Sequence, residues 1–235
     1  MGNAITGFSA RRAILALTLF GISFGYVEAA VVVYLRHIYD PLRQSVYPTK
    51  PPGELFPLLK PEHLPDTRLL GVELGREFAT IIMLAAAAIA VSRNRVQWLA
   101  AFGIVFGIWD IFFYVFLKVT INWPASLFTW DILFLLPGPW VGPVISPVIV
   151  SATMIATGIM VLVREGRGRP VHVNAIDYAG IIAGGLIIIA AFMWDFRNTM
   201  AGNWPNPFNW PVFWLGEAVG IAAFVHAWRA RGRVN

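Results

Sequence analysis

The chain has 235 residues, 57% of them hydrophobic and only 13% charged, against a globular norm near ~25% charged. With a mean hydropathy of +0.65, a water-soluble domain of this length could not hide its apolar surface, so the composition predicts one polytopic transmembrane domain over residues 1–235. The net charge of +5 forms no basic stripe interleaved with aromatics, which excludes nucleic-acid binding. The absence of cysteine excludes disulfides, thiolate metal sites, iron–sulfur clusters and thiol nucleophiles.

Six spans are predicted at roughly 13–37, 69–91, 97–119, 143–163, 177–196 and 210–229, each long enough at 1.5 Å per residue to cross about 30 Å of hydrocarbon. The first follows Arg11-Arg12 but exceeds a signal-peptide core of about 7–15 residues and carries Glu28, so it is expected to be a retained helix. After the loop 39–68, the second opens on Glu73-x-x-Arg76-Glu77, an ion pair and two carboxylates at helical spacing. The third carries Asp110. Trp130 to Leu136 is apolar but too short to span, and Pro137-Gly138-Pro139 breaks it. It reads as a re-entrant half-helix entering from the outer face, with a seventh, broken span as the alternative. The last two spans carry Asp195 and Glu217.

Arg11, Arg12, Arg93, Arg95, the arginines of 164–174 and Arg229, Arg231 and Arg233 fall on one face of the six-span arrangement. The positive-inside rule makes that face cytoplasmic, with both termini inside and the protein expected in the cell inner membrane. The spans then pair as three helical hairpins, about 13–91, 97–163 and 177–229.

An internal echo marks the acids. Phe20 to Glu28 and Phe102 to Asp110, 82 positions apart, agree at five of nine residues, and an acid closes both. Gly21, Gly25 and Glu28 share one helix face by their spacing, as do Gly103, Gly107 and Asp110. Small-xxx-small faces are where membrane helices approach closely, and similar pairs occur at Gly71/Gly75, Gly180/Gly184 and Gly216/Gly220. A second echo relates Trp109-Asp110 and its loop through Trp130 to Trp194-Asp195 and its loop through Trp210. Glu28, Glu73, Glu77, Asp110, Asp131, Asp195 and Glu217 are therefore expected in one layer on the extracytoplasmic side, with no acid in the cytoplasmic half of the spans. The ten tryptophans are expected mainly as an interfacial belt.

A membrane-centre carboxylate costs roughly 2.5–3.5 kcal/mol on insertion scales. Incurring that cost repeatedly points to chemistry more than to packing, although a buried polar clamp accounts for the same residues. Glu28, Asp110, Glu73 and Glu77, with Arg76 to orient them or bind an anionic head group, are the expected catalytic set. Glu73, Glu77 and Asp131 are the ligands that a hard divalent cation such as Mg²⁺ would take. No two histidines share a helix at ligand spacing, so haem is not expected. The reading is a membrane-embedded acid/base or metal-assisted enzyme acting on a lipid or isoprenoid, with the bilayer as its solvent. The alternatives are a cation- or proton-coupled transporter and a non-catalytic membrane subunit.

Overall fold

The computed structural model describes residues 8–50, 54–63, 66 and 68–230. Arg231 and Arg233, two of the basic residues expected on the cytoplasmic face, lie outside them. Six helices in this part are long and apolar enough to cross a bilayer, making this a multi-pass membrane protein. They are α1 (Ala10–Val46), α2 (Arg68–Val91), α3 (Arg95–Ile121), α4 (Ile145–Gly166), α5 (Ala175–Phe192) continued by the short α6 (Phe196–Met200), and α7 (Trp210–Arg229). Their outward faces carry exposed apolar side chains, including Leu19, Val27, Phe78, Ile82, Ile182 and Leu215. In water these would be a liability; in lipid they are the solvated surface.

Polar side chains cap the starts of several helices. Asn94 Oδ1 accepts from the Gln97 backbone N–H at 2.8 Å, and Asn174 with Asp177 closes a capping box on α5. Asn122 takes a left-handed φ of 53° to end α3, a conformation that asparagine tolerates better than most residues. α1 runs nine residues beyond its predicted end at 37, through Pro41 to Val46. Its 37 residues reach about 55 Å, more than the hydrocarbon needs, so its last turns project beyond the apolar layer. Arg43 anchors that projection by donating to Asp40 at 3.0 Å and to the Glu54 carbonyl at 2.7 Å.

Glycine faces decide the packing. A Cβ on Gly25 would lie 2.9 Å from the Trp109 carbonyl, and one on Gly21 would lie 2.9 Å from Ile108, so α1 sits directly on α3. The matching face of α3 docks on α4, where a Cβ on Gly107 would fall 2.6 Å from the Ser151 carbonyl. Gly184 and Gly216 join α5 to α7 in the same way. Gly71 and Gly75 meet nothing within 4 Å, so that expected small-residue face is not a helix interface.

Three expectations need correction. The first pair of spans is not a closely packed hairpin: α1 packs on α3 and only lightly on α2. The segment at 130–142 is not a half-helix but an antiparallel hairpin, β1 (Trp130–Phe134) and β2 (Trp140–Pro143), pairing Asp131 with Gly142 and Ile132 with Val141. Aromatic and β-branched residues favour the extended form, and Pro137 and Pro139 remove the donors a helix would need there. The Leu135 N–H, beyond the end of β1, is met by the Glu77 carboxylate at 2.9 Å. The second echo does not correspond to a common local structure. Asp110 lies inside α3, whereas Asp195 sits in the turn between α5 and α6, and its loop leads into α7 rather than a strand.

Candidate functional site

The slight contact between α1 and α2 leaves a cavity of about 260 Å³ bounded by α1, α2, α3 and the β-hairpin. Five carboxylates line it: Glu28 from α1, Glu73 and Glu77 from α2, Asp110 from α3 and Asp131 from β1. So do three arginines, Arg36 and Arg43 from the outer turns of α1 and Arg76 from α2. Val32, Leu35, Phe113, Leu117 and Phe134 supply apolar wall. All five residues of the expected catalytic set are thus brought together, and Asp131 joins them.

Arg76 organises one side. Its Nε and Nη2 donate to the two oxygens of Glu73 at 2.9 and 2.5 Å, a fork-on-carboxylate geometry, and its Nη1 pairs with Glu28 Oε2. Thr80 Oγ1 donates to Glu28 Oε1 at 2.5 Å. Glu28 is only 4% exposed, so this set of donors is what makes its burial tolerable. It also bridges the two helices that otherwise barely touch.

The opposite side handles its acids differently. Asp110 accepts from Ser151 Oγ of α4 at 2.7 Å. Tyr114, one turn further along α3, donates its hydroxyl to Asp131 Oδ2 at 2.9 Å. Burial raises the Asp131 carboxyl to about 6, while the Tyr114 hydroxyl and the nearby Arg36 charge act the other way.

A second, outer space of about 600 Å³ adjoins the first, and Arg36, Leu55 and Trp123 line both. The Arg36 guanidinium lies over the Trp123 ring at 4.0 Å, a cation–π contact in the shared wall. His37, Asp40, Glu54 and Trp204 contribute polar and aromatic lining to the outer space.

The remaining acids lie elsewhere. Asp195 accepts from Asn198 and from the backbone and side chain of Asn206, organising the α6–α7 loop. Glu217 accepts from Thr153 Oγ1 at 3.1 Å and ties α7 to α4. The single layer of seven carboxylates is therefore a cluster of five with two outliers. Nor are the spans free of acid near the other end, since Asp177 in the first turn of α5 is buried and pairs with His226 at 2.6 Å. Among the described residues no group of three or more His, Asp and Glu side chains is placed to hold a metal ion. Glu73, Glu77 and Asp131, the expected Mg²⁺ ligands, each face a different donor here: Arg76, the Leu135 N–H and Tyr114.

Sequence reasoning passed over Thr80, Tyr114, Ser151, Trp123 and Arg43. Tyr114 follows Asp110 by four and Thr80 follows Arg76 by four, so helical spacing places both on the same faces as those residues. Trp109 and Trp123, assigned by default to a belt, are each 7% exposed and line the cavity. Compared with family models, curated proteins and solved structures, the chain matches none.

Proposed function

We propose that the protein is a membrane-embedded enzyme performing acid/base chemistry on the polar end of an amphiphile, a lipid or isoprenoid. The carrying observation is the convergence of five carboxylates and three arginines on one cavity with a partly apolar wall. Its volume, about 260 Å³, is at or below the range of roughly 300–1,000 Å³ usual for drug-sized ligands, so it suits a head group rather than a whole lipid. The lightly packed seam between α1 and α2 gives a tail a way into the bilayer.

The two sides of the cavity then divide the work. Arg76, held by Glu28 and Glu73, sets the geometry of the α1–α2 wall. Asp110 and Asp131 are the proton-handling pair, with Ser151 and Tyr114 fixing their orientation. A carboxyl with its pKa brought nearer neutrality can act as a general acid or base at working pH. Arg36 and Arg43, at the outer end, face an anionic part of the ligand. In this reading the cluster faces the extracytoplasmic side and both termini are cytoplasmic. Transport is the second reading, favoured by the adjoining outer space, which gives a polar ligand a route to the cluster from solvent.

The test uses purified protein in detergent with a panel of phospholipids and polyprenyl phosphates, followed by mass spectrometry of the lipids. Conversion by wild type that falls at least about 100-fold in Asp110→Asn and Asp131→Asn supports the assignment, that being the usual contribution of one general acid or base. No conversion of any lipid, together with cation or proton uptake by liposomes carrying the protein, defeats it in favour of transport.

A further inference from the structure

At the end of the bundle opposite the acidic cavity, a cavity of about 510 Å³ is lined by Ile159, Met160, Val163, Arg164, Arg167, Arg169 and Trp228. We infer that this is a binding site for the phosphate head group of an anionic phospholipid. It stands independently of the proposed activity.

The lining forms a graded strip. Ile159 and Val163 follow one row of α4, and Met160 and Arg164 follow the next, so the surface passes from apolar to guanidinium along the helix axis. Met160 is 42% exposed, open to the hydrocarbon on the outside of the bundle. That is the order in which a phospholipid presents acyl chain and then phosphate. Trp228 sits at the junction, where an amphipathic indole is at home.

One guanidinium is held in place, and none of the three has a carboxylate partner among the described residues. Arg164 Nη1 donates to the Trp228 carbonyl at 2.7 Å, and its Cζ stacks over the Trp228 ring at 4.6 Å. This pins a charged fork at the end of α4. Arg167 and Arg169 follow in the turn, exposed, and no carboxylate among the described residues pairs with any of the three. The nearest acid in sequence, Glu165, is engaged elsewhere: it accepts from the Val171 N–H at 2.7 Å and from Asn94 and Gln97 at 3.2 Å. The last carbonyls of α4 are capped by the N–H groups of Arg167, Gly168 and Arg169. The forks of Arg167 and Arg169 and the remaining donors of Arg164 are therefore left to a ligand. Guanidinium matches phosphate oxygens in paired geometry, which distinguishes it from a diffuse basic surface.

The full chain is reconstituted in nanodiscs of phosphatidylcholine containing a minority of phosphatidylglycerol, and lipid retained on release is counted by native mass spectrometry. Retention of one phosphatidylglycerol in preference to phosphatidylcholine is expected. The double substitution Arg167→Gln and Arg169→Gln, both at exposed positions, should reduce it by roughly tenfold. Arg12→Gln with Arg95→Gln removes the same charge from the same end without touching the cavity and should leave it unchanged. Equal retention of the two lipids, or equal loss in both double variants, overturns the site. Inorganic phosphate that raises the melting temperature in pure phosphatidylcholine as much as phosphatidylglycerol does would overturn the lipid as its ligand.

Discussion

Arg76 is the residue on which the cavity wall turns. It holds Glu73 by two hydrogen bonds and Glu28 by a third contact, while Glu28 is almost wholly enclosed. Removing one partner of such a set strands a buried charge, which costs more than deleting the whole set. Arg76→Gln is therefore expected to destabilise the protein by about 3 kcal/mol, seen as a lower melting temperature in detergent. Adding Glu28→Gln to that variant should restore part of the loss, because the amide still accepts from Thr80 and carries no charge to desolvate. A double variant less stable than Arg76→Gln alone would contradict this account. Asp131 gives a pH signature at the same scale. Its pKa of about 6 lies above the unfolded value near ~3.9. The folded form thus binds the proton more tightly, and its stabilising contribution is complete below pH ~4 and lost as pH rises through about 6. Asp131→Asn should flatten that part of the decline in melting temperature between pH 5 and 7.

Among the elements, the glycine faces separate essential contacts from incidental ones. A methyl on Gly107 would meet the Ser151 carbonyl at 2.6 Å and Ile155 at 2.8 Å, and backbone cannot step aside cheaply. Gly107→Ala is expected to cost about 1–3 kcal/mol, typical of overpacking, whereas Gly71→Ala and Gly75→Ala meet open space and should stay within about 0.5 kcal/mol. Thermal melts of the three variants in one detergent check the contrast. Much of this was legible beforehand: the i, i+4, i+7 spacing of Gly21, Gly25 and Glu28 specifies a close-packed face with an acid at its edge, and the six apolar stretches specify the helices. Identical spacing at Gly71 and Gly75 carried no such meaning, since periodicity defines a face but not what covers it. The β-hairpin was hidden for another reason. A short apolar run bounded by prolines has no period long enough to separate strand from helix, and the partner of the Leu135 N–H lies 58 residues away on α2. Arg43 entered the site because α1 continues through Pro41, where a proline usually argues for a stop.

At the scale of the molecule, whether the acidic cavity and the basic end lie on opposite sides of the bilayer depends on how many times the chain crosses it. Treating 130–142 as a seventh span would reverse the faces of all that follows it. The hairpin of β1 and β2 removes the physical basis for that crossing: its strands have five and four residues, about half the length a membrane-spanning strand requires. On that account the segment is expected to leave on the side from which it entered, with α4 as the fourth crossing. The chain contains no cysteine, so single thiols can be introduced without background. Ser126, between α3 and β1, and His172, between α4 and α5, are both exposed. In sealed vesicles of one orientation a membrane-impermeant maleimide should label Ser126→Cys from one face and His172→Cys only from the other, with Arg95→Cys following His172→Cys. Were Ser126→Cys and His172→Cys labelled from the same face, the hairpin would have to cross, the basic end would divide between two leaflets, and the acidic cluster could no longer be assigned to the side opposite it.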